Sequence, residues 1–584
     1  MEKRDRERLR FLPCLPIYYR HRSSDSSRTA RESAAANSDD EPHPHLRRRL
    51  PTGDQEEMPS PMTCDHVDTA SAGEEDDGLT GLPDDVLLDM VQRLVNVGDV
   101  HTVGKTCLLS RRWRHLPRYH IPHVSLDVGD FFLASGWCPA EVARARRGRR
   151  DWFLPCQHHA SQGLVQSLWY FLEAPPSVRV IETLKLKMIL TKYELLRRVG
   201  RLVGEAARCG RIKASGAIEL ELLTERRDLC GTWDATAELM LGYGARFTQF
   251  LRGCPRAFRV LTSLAVENLR FTDPDAITNL VRHCCALEFL SMRFCGFVPP
   301  TTVMVVDAPP ESRLRTLLCL ECNVPGITIL QAPSLVEFYC GWRVLVEEDE
   351  GAQPPPASFG CTPQLKKLTL QYEQYEEAYD DEEYHSEWRL SEFLMLEPHQ
   401  LQVLTLSFEA TKIWVQPEYP KYLRPALGGL KELNLEKIHP TNDFTWLVFH
   451  LLGAAPRLQT LHIEVFNHVC HPDWHKKLDI ETDTVCMPPL GFKHRRLKEV
   501  SIRRAFHVFK DMPFARRILE MAVKLEKLTL GVEDLGCDGC TVTLPRWPAL
   551  ASSRHTFNRA SKDVDMLVEK LKHGIATSAQ IQLL

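Results

Sequence analysis

One phrase recurs down most of this chain: Leu-x-x-Leu-x-Leu, with substitutions. It stands as "IETLKL" from 181, "LTSLAV" from 261, "LEFLSM" from 287, "LRTLLC" from 314, "LVEFYC" from 335 and "LKKLTL" from 365. It returns as "LQVLTL" (401), "LKELNL" (430), "LQTLHI" (458), "LKEVSI" (497) and "LEKLTL" (525), with "IELELL" near 218 as a weaker copy. The starts lie from about 21 to 43 residues apart, many near 28. Within the phrase apolar residues alternate, as at Leu368 and Leu370, which is the period of a strand with one face buried. Stretches between the phrases, such as "FTWLVFHLLGAAPRL", carry helical spacing instead. A single strand-and-return unit cannot bury its own apolar face, whereas stacked copies share one core. The spacing therefore predicts an α/β solenoid, uneven and interrupted by loops.

The phrase is the mark of leucine-rich repeats. Here they would fill 119–540, with 541–584 as a C-terminal cap built on a helix over 561–573. In that helix Ser561 caps, Val564, Leu567, Val568 and Leu571 form the apolar face, and Gly574 ends it. In each strand the residues between and beside the leucines face the concave side. They are Lys367, Thr369 and Gln371; Val403, Thr405 and Ser407; Glu432, Asn434 and Glu436; Thr460, His462 and Glu464; Glu499, Ser501 and Arg503. Charge, hydroxyl and amide mix here without a basic stripe, which favours a protein partner over nucleic acid. Any one of them also fits a plain solvated strand face.

The N-terminal arm, residues 1–77, is rich in Ser, Pro and charge and poor in apolar residues, and reads as disordered. Folding begins with "LPDDVLLDMVQRLV" (82–95). Pro83 suits the first helical position, Asp84 and Asp85 suit the positive end of the dipole, and Val86, Leu87, Met90, Val91 and Leu94 make one apolar stripe. Asp99 can cap a second helix bearing Val100, Val103, Cys107 and Leu108. Ser110 can cap a third, with Trp113 and Leu116, ended by Pro117.

"VGKTCLLS" (103–110) tests this reading, because Gly-Lys-Thr also closes the phosphate loop of an NTPase. That loop needs a glycine five positions before its Gly-Lys, where this chain has Asp99. Gly98 is one residue out of register, and the preceding segment has helical rather than strand periodicity. The octet belongs to the helical trio.

That trio, "GLTGLPDDVLLDMVQRL" followed by "TVGKTCLLSRRWRHLP" over 78–118, resembles an F-box of the plant type. The resemblance implies a module that docks a Skp-type adaptor, and through it a cullin. Leu82, Pro83, Val86, Leu87, Leu109, Ser110 and Trp113 match the positions expected at or supporting that contact. Joined to irregular repeats, it resembles the plant F-box/LRR family, and 497–531 resembles that family's FBD unit. The implied role is recruitment of a protein for ubiquitination in the nucleus or cytoplasm. A repeat scaffold unconnected to ubiquitin is the alternative.

Elsewhere the chain offers no reaction chemistry. "CLEC" (319–322) lacks a second cysteine pair nearby in sequence, and Cys319 falls on a repeat strand, where it reads as a small core residue. "HVCHPDWH" (468–475) has His471 and His475 at ligand spacing, but Pro472 opposes a helix, so it reads as a histidine-rich loop. No catalytic pair, metal site or cofactor motif is expected, and an enzyme is not. A formal net charge of -4 argues for neither nucleic acid nor anionic membrane. No window approaches the ~18 apolar residues of a membrane span. The 19 cysteines are scattered, consistent with reduced thiols. "VEEDEGAQPPPASFG" (346–360) and "QYEQYEEAYDDEEYHSEW" (371–388) read as inserted acidic loops, and "ARARRGRR" (143–150) as an exposed basic linker.

Overall fold

Each copy of the repeated phrase forms one strand, and the strands stack side by side in chain order. In a computed structural model, the described residues are 82–96, 121–133, 150–173, 180–190, 192–224, 233–344, 355–374, 388–394, 400–408, 413–438, 444–465, 491–503, 512–531 and 561–583. The main sheet holds fourteen of the described strands. They are β1 (His123–Asp127), β2 (Ile181–Ile189), β3 (Ile212–Leu223), β4 (Ser263–Glu267), β5 (Phe289–Arg293), β6 (Thr316–Cys322) and β7 (Glu337–Val344). The sheet continues with β8 (Lys367–Gln374), β9 (Val403–Phe408), β10 (Glu432–Ile438), β11 (Thr460–Val465), β12 (Glu499–Arg503), β13 (Lys527–Leu530) and β14 (Gln580–Leu583). All neighbours pair in parallel, so each must be reached by a crossover, which is what the return segments supply.

The register explains the core. Leu368, Leu404, Leu433 and Leu461 stand side by side, as do Leu370, Leu406, Leu435 and Ile463, and all eight are fully buried. Each such side chain contributes about 1.5–3 kcal/mol by leaving water, which makes these ladders the spine of the solenoid. At the C-terminal end of four strands a non-glycine residue takes positive φ: Asn268 (57°), Phe294 (51°), Glu321 (51°) and Lys437 (54°). The register shifts between Leu435 and Ile438, across Lys437, as a bulge requires, and there the chain leaves the sheet.

Return segments differ along the array. The helices Tyr193–Arg208, Trp233–Gly253, Ala276–His283, Thr445–Ala454 and Met512–Met521 fit the helical spacing. In the middle, the returns are the strands Met304–Asp307, Ile327–Gln331 and Ala357–Cys361, paired in a three-stranded parallel sheet of their own. The expectation of often helical returns gives way here to strands: "MVVD" and "ITILQ" are short runs rich in β-branched residues, which favour extended backbone.

Several boundaries also move. Arg150–Leu172 is a helix with Leu164, Leu168 and Phe171 buried, so the basic run read as linker ends at the start of a helix. The second acidic insertion begins later than expected, because 371–374 belong to β8 and Tyr372 is buried. Ala357–Cys361 is likewise strand rather than loop. The C-terminal helix, Ser561–Lys572, buries Leu567 and Leu571 and ends at Gly574 with φ 75°. It is the return segment of one more repeat, because β14 follows it and pairs with β13. The array therefore extends past 540. The arm 1–77, the second and third expected helices and "HVCHPDWH" lie outside the described residues.

Candidate functional site

The parallel register turns the residues between the core leucines into rows across the concave face. One row runs Lys367, Val403, Glu432, Thr460, Glu499 and Lys527; the next runs Thr369, Thr405, Asn434, His462, Ser501 and Thr529. Gln371 pairs with Ser407, Ser407 with Glu436, and Glu464 with Arg503. Every expected concave residue from β8 to β12 takes its place in these rows.

Not all of them are open. Thr405 is 7% and Ser407 1% exposed, so both lie in the floor. Asn434 Nδ2 donates to Thr405 Oγ1 at 3.2 Å and to Glu432 Oε1 at 3.1 Å, fixing a cross-strand polar link. Tyr339 donates its hydroxyl to Gln371 Oε1. Burial lowers the His462 pKa, with Glu432 acting the other way, so the imidazole is neutral at physiological pH. Burial and then the neighbouring Glu464 raise that of Glu436, while Arg503 draws it back.

At the other end of the chain the helix Asp84–Asn96 presents two sides. Leu87 and Val91 are fully buried, and Gln92 Nε2 donates to the His123 carbonyl oxygen of β1 at 3.0 Å. Val86 and Met90, one turn apart, stay 41% and 39% exposed. The single apolar stripe expected from spacing is thus divided, because a helix lying on a sheet edge buries only the side toward it. Leu87 is fully buried and closed to any partner, whereas Pro83 and Val86 are accessible and Leu82 is half-buried. Leu109, Ser110 and Trp113 lie outside the described residues.

A cluster missed in sequence lies in the core. Cys319 and Cys322 are joined by Cys295 and Cys340 from the flanking repeats, all fully buried. The missing second pair was one repeat away on each side, a proximity created by stacking rather than by spacing. Cys295 Sγ donates to the Arg293 carbonyl at 3.3 Å and Cys322 Sγ to that of Met292 at 3.6 Å. A hydrogen bond donated by its S–H to Cys322 and burial raise the Cys319 thiol well above its ordinary value, and burial does the same for Cys295 and Cys340. Protonated, enclosed thiols pack as small apolar groups. Among the described residues no group of His, Cys, Asp and Glu is arranged to hold a metal ion, and no helix is long and apolar enough to cross a membrane.

Parallel strands in register, a shared leucine core and a polar concave face define a leucine-rich-repeat solenoid, a scaffold for protein interaction. Residues 252–584 match the family model described as At1g61320/AtMIF1, LRR domain, and the chain belongs to that family. No curated protein matches the chain.

Proposed function

We propose that the chain is the substrate-recruiting subunit of a Skp–cullin–F-box ubiquitin ligase. Segment 78–118 docks the Skp-type adaptor, the concave face holds a protein for ubiquitination, and 497–531 serves as an FBD-like closing unit. One observation carries the reading: Val86 and Met90 remain exposed on a helix whose opposite side is fixed by Leu87 and Val91. A pair of large apolar side chains held toward water, one turn apart, suits a groove in a partner. The subunit needs no catalytic group, since holding a substrate near a charged ubiquitin carrier supplies rate by proximity. Such a complex works in the nucleus or cytoplasm.

Co-purification tests it. The full chain retains a Skp-type adaptor, and Leu82→Ala/Pro83→Ala loses it; absence of the adaptor from the unmodified chain sinks the reading. A second reading, a repeat scaffold without ubiquitin linkage, is favoured by the family match resting wholly on the repeats, 252–584. It expects partner binding through the concave face and no adaptor.

A further inference from the structure

Two glycines of one return helix bring a second helix against it. In Tyr193–Arg208, a Cβ at Gly200 would stand 2.4 Å from Cys254 Sγ, and one at Gly204 would stand 3.1 Å from Arg256 Cβ. The missing side chains, one turn apart, let the short helix Pro255–Arg259 lie directly alongside. Val199 and Val203 enclose an apolar cavity with Leu186 and Leu220, whereas Lys185 and Lys187 pair with Glu219 and Glu221 on the other side of those strands. The two helices therefore cover the side of the sheet opposite the concave rows. On the outer side of Tyr193–Arg208, Glu194, Arg197, Arg198, Arg201, Glu205 and Arg208 share an arc of about 100°.

Charge on this outer surface is one-sided. Arg197, Arg198, Arg201 and Arg208 come from the first helix, Arg252 from the last turn of Trp233–Gly253, and Arg256 and Arg259 from the short helix, all of them exposed. Glu205 is already engaged: its Oε2 accepts from Arg208 Nε at 2.9 Å and Nη2 at 2.8 Å, and its Oε1 from Arg256 Nη1 at 3.3 Å. The hydrogen bond from Arg208, and then the charges of Arg208, Arg256 and Arg201, hold its carboxyl below the usual value. Glu194 forms no ion pair among the described residues. The guanidinium groups of Arg197, Arg198, Arg201, Arg252 and Arg259 have no hydrogen-bond or ion-pair partner there either. Burial raises the Cys254 thiol while the charges of Arg197 and Arg201 draw it back, which places both guanidiniums at the seam between the helices. Arg197 and Arg201 are four residues apart on one helix, where like charges cost stability, so folding gives no reason to gather them.

Glu205 shows what such a surface accepts: a carboxylate clamped between guanidiniums of two helices by charge-assisted hydrogen bonds. The free guanidiniums extend that chemistry outward. From Arg197 to Arg208 the helix rises about 16 Å, the reach of about five residues of extended chain. Beside the arginines Phe250 and Phe258 are buried and Tyr193 is half-buried, which leaves no exposed aromatic platform among them on which bases could stack.

We propose that Arg197, Arg198, Arg201, Arg252, Arg256 and Arg259 form a docking surface for an acidic stretch of a partner protein, about five residues rich in Asp and Glu. Lying on the helical side of the sheet, it can be filled while the concave face holds another protein.

Fluorescence anisotropy with the full chain tests it, at physiological ionic strength. The probes are labelled hexaglutamate, hexaglutamine and a thymidine hexanucleotide. Hexaglutamate should bind about tenfold tighter than hexaglutamine, and Arg197→Gln/Arg201→Gln should weaken it about fivefold. Arg252→Gln/Arg259→Gln should weaken it in the same direction; all four side chains are exposed and unpaired, so folding does not need them. Arg424→Gln, on the helix Pro420–Leu427 of a distant repeat, should leave binding unchanged. No preference for hexaglutamate, or double variants that bind it like the unmodified chain, overturns the proposal. Tighter binding of the hexanucleotide than of hexaglutamate also overturns it, in favour of a nucleic-acid surface. So does hexaglutamate binding that emerges only with Glu376→Gln, Glu377→Gln, Asp380→Asn and Asp381→Asn together, because the chain's own acidic run would then be the occupant.

Discussion

The imidazole of His494 joins two repeats: its Nε2 lies 3.0 Å from the Ala455 carbonyl oxygen, and its Nδ1 lies 3.0 Å from the Leu497 amide nitrogen. These partners require the proton on Nε2, which donates, while Nδ1 accepts. The ring is 2% exposed, so both groups it serves would be stranded without it. His494→Ala should lower the unfolding free energy by about 2–3 kcal/mol, read by urea denaturation.

His450 gives the chain a dependence on acid. It is fully buried within the helix Thr445–Ala454, both ring nitrogens lack partners, and burial lowers its pKa from 6.5 to about 4. Between those values the unfolded chain binds a proton that the folded chain refuses. Stability from this residue is therefore complete above about pH 6.5, falls as pH drops toward about 4, and then levels, a loss of up to about 3 kcal/mol. Thermal midpoints across that window should fall for the unmodified chain and fall less for His450→Leu. His462 and His494 are shifted in the same direction and keep part of the slope.

Two glycines of one helix should respond oppositely to the same substitution. A Cβ at Gly244 would stand 1.8 Å from the Arg270 carbonyl oxygen, whereas one at Gly242 would meet nothing within 4 Å. Gly244→Ala must push the helix Trp233–Gly253 off the neighbouring backbone, costing about 2–3 kcal/mol. Gly242→Ala should stabilise by up to about 1 kcal/mol through helix propensity. Thermal unfolding of the two variants separates a packing requirement from mere tolerance.

The sheet was legible because Leu368, Leu404, Leu433 and Leu461 each hold the fourth position of the same phrase, and parallel stacking brings like positions into register. The same logic put Thr369, Thr405, Asn434 and His462 in one row. β1 and β14 escaped because "HVSLD" and "QIQL" lack the leading leucines, their pairing being supplied by β2 and β13. The return strands escaped because a short apolar run such as "MVVD" has too few residues to show a period. Helical spacing grouped Val86 with Leu87 but could not say which would meet the solenoid, since that depends on β1. The four-cysteine cluster was invisible for a related reason: Cys295, Cys319 and Cys340 come from three different repeats.

The central claim is that the exposed side of the helix Asp84–Asn96 docks a Skp-type adaptor, and calorimetric titration of the purified full chain with that adaptor measures it directly. The unmodified chain should release heat and saturate at one adaptor per chain. Val86→Asp/Met90→Asp should weaken the affinity at least about a hundredfold while leaving the thermal midpoint unchanged, because two exposed apolar anchors are replaced without touching Leu87 or Val91. Titrations that show no binding by the unmodified chain, or equal binding by the double variant, contradict the account.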